Sequence, residues 1–109
     1  MTYARQPERR RHRRVRMKQP MRVRPTDPKD GIFEEIGMTK DVSQDGAYFL
    51  TKLDVYHEGM RVFFTLPFDA PRSQQNYEYL GQIARVDVME DGQKGVAVKF
   101  LASTNKKSF

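Results

Sequence analysis

The chain has 109 residues, with 31% charged, 38% hydrophobic and a net charge of +6. That length supplies a single core. It holds no cysteine, which excludes disulfides and thiolate metal sites, and no apolar run approaches the roughly 20 residues that span a bilayer.

The charge is unevenly spread. Residues 1–25 carry nine Arg and Lys18 against Glu8, a net of +9, which leaves −3 for the remainder of the +6 total. Residues 1–18 offer little to bury beyond Tyr3, Val15 and Met17. This reads as a flexible, arginine-rich arm, because such a stretch cannot offset the entropy of ordering itself. It also lacks the apolar centre of a secretion signal, so a cytoplasmic protein with no membrane insertion is expected. The arm calls for an anionic partner: a nucleotide, a nucleic acid or an acidic membrane surface.

From Pro20 the pattern turns to strands, and residues 19–102 read as one β domain. Met21–Arg24 alternates between two prolines, and Ile32–Met38 alternates imperfectly toward a turn at Ser43-Gln44-Asp45-Gly46. Ala47–Leu50 follows, and Leu53–Glu58 suggests one short helical turn. Met60–Leu66 is β-branched and aromatic, closed by Pro67. Tyr77–Val88 is a long strand anchored by Leu80, Ile83 and Val86. Glu90-Asp91-Gly92-Gln93 carries hairpin-turn chemistry, and Gly95–Phe100 alternates. Residues 103–109 read as a disordered tail. About six short strands separated by turn signals, without convincing helical periodicity, predict a small all-β sandwich or barrel.

Two stretches carry chemistry. In Glu8-Arg9-Arg10-Arg11-His12-Arg13-Arg14, guanidinium forks suit phosphate oxygens or the O6/N7 edge of guanine, and their planes stack on purines. The bland alternative is a solvated cationic tail. In Asp41-Val42-Ser43-Gln44-Asp45-Gly46, Asp41 and Ser43 share a side of an extended chain. The Asp41 carboxylate suits the N1–H and N2–H donors of guanine, Ser43 adds a hydroxyl, and Gly46 is expected to free the turn for positive φ. The bland alternative is a polar hairpin whose Asp and Ser bond their own backbone.

Together, these features resemble the PilZ family of bacterial cyclic di-GMP receptors. Arg10 to Arg14 gives the family's Arg-x-x-x-Arg motif, and Asp41 to Gly46 gives its Asp-x-Ser-x-x-Gly motif. Arg9 to Arg13 has the same spacing, but the Arg10/Arg14 register fits the first strand better. Proline often stands in the family where this chain has Arg13. The resemblance spans about residues 8–101. It implies a six-stranded antiparallel β-barrel of split-barrel type; little or none of the C-terminal helix that many members carry is expected here, because the sequence stops soon after the last strand. It also implies that Arg10 and Arg14 hold the phosphates and guanines, that Asp41 and Ser43 hold a guanine, and that Gly46 shapes the turn. Arg9 is placed where an arginine accompanies binding of an intercalated ligand dimer.

The expected function is a cyclic di-GMP receptor that orders its arm on binding and signals to a separate protein partner. No cofactor beyond that ligand is implied. The rivals are a basic β-barrel that binds RNA through Tyr48, Phe49, Phe63 and Phe64, and a ligand-free adaptor. The nucleic-acid reading is the weaker one, because it needs exposed aromatics for base stacking and strand burial explains some of these four. No nucleophile with its base, metal-ligand spacing or P-loop appears, so no enzyme is expected. His12 and His57 have no nearby acid arranged to pair with them and read as surface or packing histidines, and Glu34-Glu35 reads as solvated strand charge.

Overall fold

The computed structural model describes residues 15–16, 18–68 and 77–107, with side chains for 18–68 and 77–104. Seven strands lie among them: β1 (Val15–Arg16), β2 (Pro20–Pro25), β3 (Glu35–Val42), β4 (Gly46–Thr51), β5 (Arg61–Thr65), β6 (Tyr77–Val88) and β7 (Lys94–Lys107). Every pairing is antiparallel. The order is β1-β3-β2-β5-β6-β7-β4, and β4 pairs back onto β3. Strands β2 to β7 therefore close a six-stranded antiparallel barrel, and β1 is annexed to β3.

Period-2 alternation builds the core. Met21 and Val23 of β2, Ala47, Phe49 and Thr51 of β4, and Val62 and Phe64 of β5 all point inward. Ile83 of β6 and Val96 and Val98 of β7 complete the wall. Five aromatic contacts run through the interior in series. Phe33 meets Tyr56 at 5.5 Å, Tyr56 meets Phe49 at 5.5 Å, Phe49 meets Phe64 at 6.0 Å, and Phe64 meets Phe100 at 5.6 Å. Phe100 then stacks on Tyr79 at 4.5 Å.

β3 changes partner half-way. Its first half pairs with β2, from Val23↔Glu35 to Pro20↔Met38. At the seam, the Gln19 amide donates to Thr39 Oγ1 at 2.9 Å and the Thr39 amide donates to the Gln19 carbonyl at 2.9 Å. Beyond the seam the vacated edge is taken by β1, with Val15↔Val42 and Arg16↔Asp41. The opposite edge pairs with β4 from Thr39 to Val42.

Several expectations are corrected. β7 continues to Lys107, paired with Tyr77, so the expected disordered tail over 103–109 is strand through that residue. Within the arm of 1–18, Val15–Arg16 is strand. β3 starts at Glu35 rather than Ile32, because Gly31 (φ +104°) breaks the path and leaves Ile32 97% exposed. Leu53–Glu58 forms no helix. The helical turn lies instead at Pro28–Asp30, where Asp27 Oδ1 accepts from the Lys29 amide at 3.0 Å and proline opens the turn. Glu35 is not a merely solvated charge, for it accepts from Thr51 Oγ1 at 2.7 Å and from Tyr56 Oη at 2.6 Å. Burial, and then this bond to a carboxylate, push the Tyr56 phenol far above its ordinary pKa.

Candidate functional site

The Asp41–Gly46 motif sits where β3 turns into β4. The Ser43 amide donates to the Gly46 carbonyl at 2.9 Å, and the Asp45 amide donates to Ser43 Oγ at 3.1 Å. Ser43 thus stabilises its own turn, as the bland reading expects, yet its hydroxyl proton is left to donate elsewhere. The Phe100 amide donates to the Asp45 carbonyl at 2.8 Å and ties the turn to β7.

Gly46 serves for a different reason than expected. It is not among the positive-φ glycines, which are Gly31, Gly59 and Gly92. A Cβ on Gly46 would instead lie 2.0 Å from the Val98 carbonyl oxygen. The residue is small because β4 must close on β7 there.

Asp41 faces outward because of a register shift. Thr39 points into the core opposite Phe49, and strict alternation would send Asp41 inward too. One extra residue, Lys40, is inserted in the ladder, so Asp41 pairs with Tyr48 on the outer face. Among the described residues, no hydrogen bond or ion pair engages the Asp41 carboxylate.

Asp41, Ser43 and Gly46 form one rim of a surface cavity of about 360 Å³. Ala84 and Ala97 contribute small side chains to its lining, Lys99 lies beside Gly46 on β7, and Arg85 of β6 stands on the far side. The three motif residues are therefore brought together. Arg9, Arg10 and Arg14 lie outside the described residues. The chain nevertheless joins the barrel at this turn, because β1 pairs with Asp41 and Val42. A second hollow, of about 540 Å³, opens on the other side of the turn, between Gln19, Leu66, Pro67 and the Tyr79–Phe100 stack.

Arg85 and Lys99 are not legible as site residues in the sequence. Arg85 repeats the Asp41 arrangement, since Ile83 is buried opposite Val98 and a register shift at Ala84 puts Arg85 outside, opposite Ala97. Its Nε donates to both Asp87 carboxylate oxygens, at 3.0 and 3.2 Å. The Tyr48 hydroxyl crosses β7 to donate to Asp87 Oδ2 at 3.1 Å, and partial burial followed by that bond raises the Tyr48 pKa.

Away from the cavity, His57 does have an acid beside it, contrary to the sequence reading. Nε2 is 3.1 Å from Asp30 Oδ1, and Nδ1 is 3.3 Å from the Glu58 carbonyl. Two acceptors suit the doubly protonated ring. The Asp30 bond first, and the Glu58 carbonyl second, raise its pKa.

Comparison with known proteins bears on the fold and the family. The family model for the PilZ domain matches residues 8–108. The chain belongs to the PilZ family. Among solved structures it is similar to the Bacillus subtilis inhibitor of motility (MotI/DgrA), with a TM-score of 0.66 and 13% identity. That match covers 91% of this chain and 46% of the other, so this chain spans about half of its neighbour's length. At that identity the likeness concerns the PilZ barrel alone. No curated protein sequence gives a significant match. Among the described residues, no helix is long and apolar enough to cross a membrane and no cluster of acidic and histidine side chains could hold a metal ion.

Proposed function

We propose that this PilZ domain is a cyclic di-GMP receptor. The observation that carries the reading is the pairing of β1 with Asp41 and Val42. It joins the arginine-rich segment to the Asp41–Gly46 turn at the edge of one cavity. In this reading Asp41 accepts from N1–H and N2–H of a guanine, and Ser43 donates to the ligand. Arg10 and Arg14 grip phosphates and guanine faces, and Arg9 accompanies an intercalated ligand dimer. Two phosphates offset the mutual repulsion of the arginines, so the arm orders on the barrel and offers a new surface to a partner protein. Ordering of this kind costs a few kcal/mol of the gross interaction.

The fate of the aromatics speaks against single-stranded nucleic acid as the ligand. Base stacking needs exposed rings. Phe49 and Phe64 are fully buried, Phe63 lies beneath the Arg24 guanidinium at 5.3 Å, and Tyr48 is tethered to Asp87.

The test is isothermal titration with cyclic di-GMP at physiological salt, with cyclic di-AMP and GTP as controls. Selective binding is expected, weakened at least tenfold by Arg14→Ala and by Asp41→Ala, with residues 8–18 gaining amide-exchange protection at saturation. Equal binding of the three nucleotides would overturn the reading.

A further inference from the structure

A row of paired residues crosses the outer face of the barrel through the cavity. Asp41 of β3 is opposite Tyr48 of β4, Tyr48 is opposite Ala97 of β7, and Ala97 is opposite Arg85 of β6. The two charged ends are three strand spacings apart, about 14 Å along the sheet. Both ends owe their outward direction to a register shift, at Lys40 and at Ala84. Ala97 and Ala84 contribute small side chains to the lining.

Arg85 is also held in a set pose. Nε is bound to Asp87, and Asp87 is itself held by the Tyr48 hydroxyl. Tyr48 reaches that far because Gly95 lets its ring lie across β7; a Cβ there would sit 1.8 Å from Tyr48 Oη. The Arg85 guanidinium carbon lies 5.9 Å from the Tyr48 ring centroid. With Nε taken by Asp87, the remaining N–H donors of the fork sit on a side chain that lines the cavity.

The geometry points to Arg85 as the residue that selects the second guanine, with Asp87 and Tyr48 as positioning residues. This rests on the cyclic di-GMP reading. One guanine presents its N1–H and N2–H donors to Asp41, and the other presents its O6 and N7 acceptors to the Arg85 fork. Adenine keeps N7 but carries an amino donor where guanine has O6, so it cannot satisfy the same fork. Lysine, a single point charge, would attract the ligand without this discrimination.

The experiment compares cyclic di-GMP with 3′,3′-cyclic GMP–AMP, which keeps one guanine for Asp41 and offers adenine to Arg85. A bidentate arginine–guanine pair predicts a preference of about 30-fold for cyclic di-GMP in the unaltered chain. Arg85→Ala and Arg85→Lys are expected to lower that ratio to about threefold, the lysine variant with the smaller loss of affinity. Tyr48→Phe, which frees Asp87, is expected to fall between. A general folding defect would weaken both ligands alike and leave the ratio standing. If the unaltered chain binds no cyclic di-GMP, the receptor reading fails and this inference with it. If it binds and Arg85→Ala keeps the ratio, Arg85 does not read the second guanine, while the receptor reading stands.

Discussion

Gly46→Ala tests whether close strand approach, rather than turn conformation, fixes the glycine of the Asp41–Gly46 turn. The added Cβ would lie 2.0 Å from the Val98 carbonyl oxygen and 3.1 Å from its carbon, against the 3.4 Å where ordinary contact begins. The obstacle is backbone, so β4 must retreat from β7 by more than 1 Å at the Gly46↔Lys99 pair. Such a retreat breaks about two ladder bonds worth about 1 kcal/mol each and adds about 1–2 kcal/mol of overpacking strain. A loss of about 3–4 kcal/mol corresponds to a fall in Tm of about 15 °C for a domain of this size. The assay is thermal and urea unfolding followed by circular dichroism. Gly59 and Gly92 serve as controls, with φ of +88° and +87° and nothing within 4 Å of an added Cβ. Alanine there should cost only about 1–2 kcal/mol, and asparagine, which tolerates that conformation, less. At Gly46 asparagine should be no better than alanine. A Gly46→Ala protein melting within about 3 °C of the parent, or a Gly46→Asn protein clearly more stable than Gly46→Ala, would refute the reasoning.

Phe49 is fully buried between Tyr56 and Phe64, so Phe49→Ala should cost about 3–5 kcal/mol in urea unfolding. The raised Tyr56 pKa means that the fold keeps a proton which the unfolded chain releases above about pH 10. That contribution is complete below pH 10 and is lost as the pH climbs toward the folded value, so alkaline unfolding curves should be flatter for Tyr56→Phe. The raised His57 pKa has the same sign, with its contribution complete below pH 6.5 and lost as the pH rises through the folded value. In an NMR titration the His57 imidazole should have a midpoint above 6.5, and Asp30→Asn should return it toward that value.

Much of the barrel was legible because inward residues recur at every second position. Met21 and Val23, Phe49, Val62 and Phe64, and Val96 and Val98 are apolar in the strand pattern and lie in the core. The Tyr77–Val88 strand and the Asp91-Gly92 turn follow from the same local rules, and Gly92 takes the positive φ that the turn demands. The ends of elements were less legible. Ser103 to Lys107 is too polar to signal a strand, yet it is paired with the start of β6. Ile32 looks like strand and is left outside by the Gly31 turn. Of the candidate site, the Asp41–Gly46 rim could be found as a motif, whereas Arg85 and Lys99 are 39 or more positions further on and meet it through pairings that sequence does not declare. Glu35 and His57 were misread for a related reason. Their partners, Tyr56 and Asp30, are 21 and 27 residues away.

The two register shifts give this protein an unusual mutational profile. Lys40 and Ala84 are exposed, and substitution at either changes little that the core depends on. Deleting either one is another matter. The ladder would regain strict alternation, and Asp41 or Arg85 would turn from the cavity toward the interior. The outward direction of these two cavity residues is therefore encoded as length, in the count of residues between inward-facing positions. On the receptor reading proposed above, descendants of this chain would lose ligand binding more readily through a single codon's deletion than through most single substitutions on the same strands.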